Sequence, residues 1–198
     1  MKALVLIGLQ VDYFSFGAAE ITGAEDILPT INKWLPKFEH VIAARFSHPP
    51  EHKMFVANYP WRRPGQEIDL LGDKVLLKNY QCIQGSFGAE LASGFDHQKI
   101  THTVLLGTEK KWLSNSAFYD EKKQRDTGLK DYLTAHHIDE IYLAGLPFEE
   151  GILQTAIEGA DEGYNIKLLQ NAILGIDQEE VAAGKKLLAK KGIGWLVD

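Results

Sequence analysis

The segment Ala3-Leu4-Val5-Leu6-Ile7-Gly8 decides the fold of this chain. It is a short, unbroken apolar run rich in residues that favour strands. Lys2 precedes it, and Gly8 ends it. A strand that is apolar on both faces is typical of a parallel sheet covered by helices on each side. The run therefore predicts a central, fully buried strand.

Outward from this strand, apolar patterns of strand type and of helix type alternate along most of the chain. This alternation predicts an α/β fold with three layers, a doubly wound and mainly parallel sheet, and a single domain over residues 1–198. The predicted strands cover residues 3–8, 41–46, 104–107, 140–145, 166–169 and 193–197, with a further candidate at 74–77. The predicted helices cover residues 27–38, 128–136, 151–162 and 179–190.

Composition excludes several classes of function. The net charge of -6 leaves no basic excess to neutralise a phosphate backbone, so we expect no nucleic-acid partner. No apolar run approaches the roughly 20 residues that span a bilayer, and the apolar start is too short for a signal-peptide core. We therefore expect no membrane partner and a cytoplasmic location. Cys82 is the single cysteine, which excludes an internal disulfide and leaves one candidate thiol.

Residues 47–91 interrupt the regular pattern with prolines and glycines. Irregular segments of this length are uncommon inside a compact domain and tend to carry function. In a doubly wound sheet, ligands bind beyond the carboxyl ends of the strands. The segments that follow Gly8, Phe46, Gly107 and Gly145 are therefore the places to look for a site.

Three motifs at these strand ends resemble one known family. They are Leu9-Gln10-Val11-Asp12-Tyr13, then Ser47-His48-Pro49-Pro50-Glu51-His52, and then Cys82-Ile83-Gln84-Gly85-Ser86-Phe87-Gly88-Ala89-Glu90-Leu91. Together with Gly107-Thr108-Glu109 and residues 139–146, they resemble the nicotinamidase and pyrazinamidase branch of the isochorismatase-like cysteine hydrolases. The resemblance implies a cysteine thiolate that attacks an amide, an aspartate that takes the thiol proton, and a supporting lysine. Such a thiol needs a base and a nearby cation to become a nucleophile.

Carried over residue by residue, the resemblance predicts that most of this machinery is replaced. Asp12 matches the aspartate and is the only retained member of the triad. Gly151 stands at the cysteine position and Leu106 at the lysine position. Cys82 matches a cysteine outside the triad. We therefore expect a protein diverged at its catalytic positions that lacks cysteine-dependent amide hydrolysis.

The family's metal ligands are also replaced. The resemblance implies a metal held by Asp-x-His and a second histidine, which correspond here to Phe46, His48 and Gln81. One matched ligand, His48, does not make a site. We expect no bound zinc or other divalent metal, and no other cofactor. Pro49 and Pro50 argue against a helix that would bring His48 and His52 together, so both histidines are expected to be exposed on a loop.

Aromatic and acidic residues near the strand ends are the candidates for lining a pocket. They are Tyr13, Phe16, Trp61, Trp112, Phe148, Glu149 and Glu150. The aromatic rings would stack on a flat ligand or would pack only within the core or a lid. The two glutamates would join Asp12 around a cationic ligand, or would cap the helix that follows. Gly151 either opens room in a pocket or eases a strained turn.

Two functions from different classes remain open at this point, and a third possibility is an oligomer with a structural role. The first is a family homologue without cysteine chemistry that binds a small molecule. The alternative is an active hydrolase that acts on nicotinamide-like amides or on another small substrate, with its chemistry relocated around Asp12. In either case a small-molecule ligand is expected, and so is a homo-oligomer, because members of the family often assemble into dimers or larger forms.

Overall fold

Eight strands and four α-helices make up the computed structural model, which describes residues 1–70, 72–120, 123 and 125–197. The strands are β1 (Lys2–Ile7), β2 (His40–Phe46), β3 (Glu67–Leu70), β4 (Asp73–Leu76), β5 (His102–Leu106), β6 (Glu140–Gly145), β7 (Asn165–Ile173) and β8 (Gly194–Leu196). The helices are α1 (Leu28–Trp34), α2 (Leu129–Ala135), α3 (Leu153–Asp161) and α4 (Gln178–Lys190). None of these helices is long and apolar enough to cross a membrane.

Six of the strands form one sheet in the order β5-β2-β1-β6-β7-β8, and every neighbouring pair is parallel. With its flanking helices, this sheet confirms the predicted α/β class and the mainly parallel arrangement. β1 lies inside it, between β2 and β6, and residues 3–7 are almost completely buried. The order reverses at β1, so the carboxyl ends of β1, β2 and β6 meet where a doubly wound sheet forms its crevice.

The helices differ from the predicted ranges at their ends. The segment predicted as one helix over 27–38 holds the seven-residue α1 between two 3-10 turns, Ala24–Ile27 and Leu35–Lys37. Pro36 lacks the N–H that an α-helix would need at that position. The segment predicted as a helix over 151–162 begins earlier, with a π-turn at Phe148–Ile152 that leads into α3.

The irregular segment 47–91 carries a small structure of its own. β3 and β4 form an antiparallel hairpin, of which only the second strand had been predicted. β3 escaped prediction because Glu67-Ile68-Asp69-Leu70 has two acidic residues within its four positions. A second apolar cluster, separate from the main core, holds the hairpin in place; it consists of Met54, Phe55, Leu70 and Val75.

The side chain of Gln10 joins three parts of the crevice. Its Nε2 donates to the carbonyl oxygens of Phe46 at 2.7 Å and Ala89 at 2.8 Å, and its Oε1 accepts from the Phe46 N–H at 2.7 Å. Gln10 is completely buried, so water cannot replace these bonds. One amide thus fixes the segment after β1 against the end of β2 and the loop before β5.

Replacement of this amide is the first prediction. We expect Gln10→Leu to lower the free energy of unfolding by about 2 to 4 kcal/mol, because it leaves buried backbone groups of Phe46 and Ala89 without partners. Urea denaturation measures the change. Gln98→Leu, at an exposed position, is the matched control and should change stability by less than about 0.5 kcal/mol. Equal stability of the two variants would contradict this role of Gln10.

Candidate active site

Two glycines and one aromatic ring meet at the carboxyl ends of the central strands. A Cβ atom built on Gly151 would lie 2.7 Å from Cγ2 of Ile7 and 3.5 Å from the Phe46 ring. A Cβ atom built on Gly8 would lie 1.9 Å from the carbonyl oxygen of Leu146 and 3.4 Å from the same ring. Phe46 thus packs against both glycines. The position matched to the nucleophile faces hydrocarbon, so this glycine neither opens a pocket nor relieves a strained turn.

Leu106, at the position matched to the lysine, is completely buried within the main core. It ends β5, next to Phe46 of β2 in the sheet. Its surroundings are apolar, and its backbone carbonyl accepts a hydrogen bond from the Ser47 N–H at 2.8 Å. A charged lysine at this position would lose its hydration without gaining a counterion.

Cys82, the one thiol of the chain, is buried and stays protonated. Burial, together with the negative charge of Asp12, raises the pKa of this thiol to about 12. The Tyr13 hydroxyl is hydrogen bonded to the thiol, and burial raises the pKa of Tyr13 well above its usual value of 10. Since the thiolate is the nucleophile in cysteine chemistry, Cys82 is in an inert environment.

Asp12 lies beside the loop that carries Cys82. Its Oδ2 accepts from the Cys82 N–H at 2.6 Å, and its Oδ1 accepts from the Ala18 N–H at 3.2 Å. A Cβ atom on Gly88 would collide with the carboxylate at 2.2 Å, so the loop backbone lies directly against it. The carboxylate thus has the local backbone partners of a structural residue, and Asp12 does not line the cavity described next.

A cavity of about 230 Å³ opens at this edge of the sheet, beneath the β3–β4 hairpin. Phe46 and Tyr13 line one side of it, and Met54, Val75 and Leu113 add further apolar surface. The polar lining residues are His48, Lys74, Lys78, Gln81, Ser114, Asn115, Glu149, Glu150 and Glu180. A small cavity with an apolar wall and a few polar groups is typical of a binding site for a small molecule.

Glu149 and Glu150 both line the cavity, and neither caps the helix that follows. Glu149 accepts from the backbone N–H groups of Ile176 at 2.9 Å and Asp177 at 2.8 Å, and so holds the loop between β7 and α4. Glu150 forms an ion pair with Lys78. Each carboxylate is therefore committed to a long-range partner that the local sequence did not indicate.

The expectation that His48 and His52 are exposed is wrong, because both are buried. His48 pairs with Ile83 in an isolated parallel bridge, and its Nδ1 donates to the Gly107 carbonyl at 3.0 Å. The ring of His52 accepts from the Met54 N–H at 3.1 Å and donates to the Trp112 carbonyl at 3.1 Å. Each ring thus has a hydrogen-bond partner in the backbone of the segment that follows β5, Gly107 for His48 and Trp112 for His52. These bonds hold the loop against the core.

Burial keeps these two imidazoles neutral. Desolvation lowers the pKa of His48 to about 3, and the neighbouring His52 and Lys78 charges act in the same direction. The pKa of His52 is lowered too, again chiefly by burial. Because a carbonyl oxygen can only accept, Nδ1 of neutral His48 carries the proton, and its Nε2 is an acceptor.

The side chains at the matched metal positions do not fit the family's metal. Phe46 has no donor atom, and the amide of Gln81 donates to the Tyr13 hydroxyl at 3.3 Å. Both ring nitrogens of His52 have backbone partners, which leaves Nε2 of His48 as the one imidazole nitrogen for a metal. Within residues 1–70, 72–120, 123 and 125–197, no group of three or more His, Cys, Asp or Glu side chains could hold an ion. That the protein binds no metal remains a prediction.

The remaining aromatic candidates lie away from the cavity. Phe16 and Trp61 are fully exposed at turns where φ is positive, 67° and 68°, and these turns direct both rings into solvent. Trp112 lines a separate, much smaller cleft beside Gly107, and Phe148 is completely buried against Trp195 and Gly184. Of the predicted aromatic residues, Tyr13 lines the cavity beneath the β3–β4 hairpin.

Two polar residues of the cavity had no assigned role in ligand binding from the sequence. Lys78 follows β4 and reaches Glu150, 72 positions further along the chain. Ser114 is 4% exposed, and its hydroxyl has no hydrogen-bond partner among the described residues. Only the fold places these side chains together. An isolated lysine after a short strand and a serine in a loop carry no signal in the sequence.

Comparison with known proteins agrees with this geometry. The Isochorismatase domain model matches residues 2–198. The nicotinamidase of Acinetobacter baylyi is 28% identical over 201 residues, covering 96% of this chain and 94% of that protein. The Escherichia coli nicotinamidase is 29% identical over 184 residues, covering 89% and 84%. A solved nicotinamidase/pyrazinamidase from Acinetobacter baumanii superposes with a TM-score of 0.94 at 27% identity, covering 99% of this chain and 95% of that one.

Three findings define the class of protein: the fold, the crevice at the carboxyl ends of β1, β2 and β6, and the family match over residues 2–198. This chain belongs to the isochorismatase family of hydrolases. Within that family, the two relatives and the solved structure compared above are nicotinamidases, the last also named as a pyrazinamidase. The resemblance stated from the sequence motifs is thus confirmed.

The low pKa of His48 predicts a specific dependence of stability on pH. Because the folded pKa is about 3 and the unfolded value is 6.5, stability is complete above pH 6.5 and falls as the pH drops toward 3. The loss due to this ring between pH 6.5 and 4.5 should be on the order of 2 kcal/mol. Urea denaturation at several pH values measures it.

His48→Gln should reduce the fall in the free energy of unfolding between pH 6.5 and 4.5, because the variant has no ring to protonate. His137→Asn is the matched control, since His137 is exposed and its positive φ of 52° suits asparagine. The control should keep the profile of the natural protein. Identical slopes in all three proteins would contradict the buried, neutral state of His48.

Packing around Gly151 gives a second prediction for this site. We expect Gly151→Ala to lower the free energy of unfolding by about 1 to 3 kcal/mol, because the new methyl group meets Ile7. Adding Ile7→Ala should relieve the clash, so that the double variant is less destabilised than the sum of the single changes. Gly194→Ala, where nothing lies within 4 Å of the added atom, is the control. Additive effects of Gly151→Ala and Ile7→Ala would contradict the contact.

Proposed function

We propose that this protein binds a small molecule in the cavity beneath the β3–β4 hairpin and does not hydrolyse amides through a cysteine thiolate. The packing at Gly151 is the observation that carries the proposal. A Cβ atom at this position would lie 2.7 Å from Cγ2 of Ile7 and 3.5 Å from the Phe46 ring, so a larger side chain requires these apolar groups to shift. The single thiol, Cys82, is buried with a pKa of about 12, so it supplies no thiolate at neutral pH.

The other replaced positions support the same proposal. Leu106 provides no positive charge near the strand ends. Phe46 and Gln81 provide no anionic or imidazole ligand for a metal, so the proposed function uses none. The cavity itself is retained, together with polar groups and an ion pair at its wall. The combination of a retained cavity and absent nucleophile favours binding over amide hydrolysis.

A second candidate function is an active hydrolase for nicotinamide-like amides, with chemistry relocated around Asp12. The observation that favours it is the set of relatives, which are themselves nicotinamidases similar over nearly their full length. In this case a carboxylate would have to act as the base for an attacking water. General-base catalysis of this kind typically contributes about 10²- to 10⁴-fold to the rate.

Ammonia release from nicotinamide by the purified protein tests both functions. The first proposal predicts no release above a blank without protein, for the natural chain and for Asp12→Asn alike. The second predicts release that Asp12→Asn lowers by about 10²- to 10⁴-fold. Asp131→Asn, at an exposed position on α2, is the matched control and should behave as the natural protein. Turnover by the natural protein would overturn the first proposal.

A further inference from the structure

A second cavity, with a volume of about 270 Å³, is lined by residues of α3 and of the segment 115–120. Gln154 and Glu158, which lie one turn apart on α3, form one side of it, and Tyr119 belongs to the other side. Glu149 lines this cavity as well as the one beneath the β3–β4 hairpin, so the two cavities are neighbours. We call the second one the α3 cavity.

Hydrogen bonds fix the two walls of the α3 cavity relative to each other. The Thr155 hydroxyl accepts from the Ala117 N–H at 2.8 Å, and both residues are completely buried. Two turns further along α3, the Tyr119 hydroxyl donates to Oε1 of Glu162 at 3.0 Å. The cavity is therefore formed by the fold itself, and a ligand would enter a site whose walls are already ordered.

The carboxylate of Glu158 is buried with incomplete compensation of its charge. The residue is 7% exposed, and its Oε1 accepts from the NH₂ group of Gln154 at 3.0 Å. Its Oε2 is buried and has no hydrogen-bond partner within the part of the chain that the structure describes. Lys123 and Lys130 pair with Glu162 instead. A buried charge without a counterion costs free energy, which a cation in the cavity would recover.

The α3 cavity is negative, and its α3 side supplies acceptors. Because an ionised carboxylate only accepts, Gln154 turns its NH₂ group toward Glu158, and its carbonyl oxygen is left for a ligand. Glu149 accepts from the backbone N–H groups of Ile176 and Asp177 and adds a second negative charge. No lysine or arginine is found among the described residues that line the cavity. An ammonium group, which has three donors and no acceptor, matches this arrangement.

Volume and apolar surface limit the rest of the ligand. The volume of about 270 Å³ equals that of roughly nine water molecules at about 30 Å³ each, so the cavity suits a short chain rather than a large molecule. Leu153 and the ring of Tyr119 provide apolar surface for such a chain. An aliphatic stem can pack on this surface while its charged end lies beside Glu158.

We infer that the α3 cavity binds a small aliphatic ammonium ion, with its charged end beside Glu158 and its stem against Leu153 and Tyr119. It selects against the alcohol and the carboxylate of the same length. This inference goes beyond the proposed function, because it concerns a second site and does not depend on whether the protein hydrolyses amides.

Three probes of matched length test the ligand class in an NMR titration of the ¹⁵N-labelled protein: butylammonium, butan-1-ol and butyrate. We expect butylammonium to bind at least about tenfold more tightly than butan-1-ol, because a hydrogen bond to a charged group typically contributes that much. Butyrate should not bind, and the shifts caused by butylammonium should concentrate on residues 115–119 and 153–158. Equal affinity of the alcohol overturns the inference, and so does the absence of butylammonium binding.

Glu158→Gln tests the group responsible, because it keeps the shape of the side chain and removes its charge. We expect the variant to bind butylammonium about tenfold more weakly and butan-1-ol as before. Glu39→Gln removes the same charge at an exposed position before β2 and is the matched control, whose affinities should equal those of the natural protein. An unchanged ratio of the two affinities in Glu158→Gln overturns the inference. Thermal unfolding of each variant checks that it is folded.

A further variant separates the two neighbouring cavities. Glu150 lines the cavity beneath the β3–β4 hairpin, whereas Glu158 lines the α3 cavity. Loss of butylammonium binding in Glu150→Gln but not in Glu158→Gln would place the cation beneath the hairpin and overturn the inference. Ammonia release from nicotinamide tests the proposed function independently, so the two can fail separately.

Discussion

The buried amide of Gln10 is the interaction on which the site depends. Its three hydrogen bonds tie the segment after β1 to the end of β2 and to the loop before β5. On the other side of β1, β6 pairs with it in parallel from Lys2–Glu140 to Ile7–Gly145, so the ends of all three strands are joined. At Gly8 and Gly151 these strand ends leave no room for a Cβ atom without a shift of Leu146 or Ile7.

Packing at these strand ends favours apolar side chains at the positions of Phe46 and Leu106. A thiol, a lysine and a metal ligand each need hydration, a counterion or an ion in the crevice. Phe46 and Leu106 need only apolar neighbours, and the core supplies them. The backbone around these residues is similar to that of a solved nicotinamidase/pyrazinamidase, with a TM-score of 0.94.

The β3–β4 hairpin covers the cavity with Lys74, Val75 and Leu76, while most of its polar lining comes from other segments. It is held by its own apolar cluster, and the ion pair of Lys78 with Glu150 connects the segment after it to the π-turn before α3. The parallel sheet provides the crevice at its strand ends. The irregular segment 47–91 provides the residues that cover this crevice. The cavity is therefore lined jointly by residues at the strand ends, such as Phe46, and by residues of the irregular segment 47–91.

The sequence by itself determined the parallel sheet and the family, because local apolar patterns and ordered motifs carry that information. Only the tertiary structure decided that His48 is buried and that Lys78 meets Glu150 across 72 positions. Sequence patterns encode which face of an element is apolar. They do not encode where a long irregular segment returns to the core, and that return sets burial, charge pairing and the lining of the cavity.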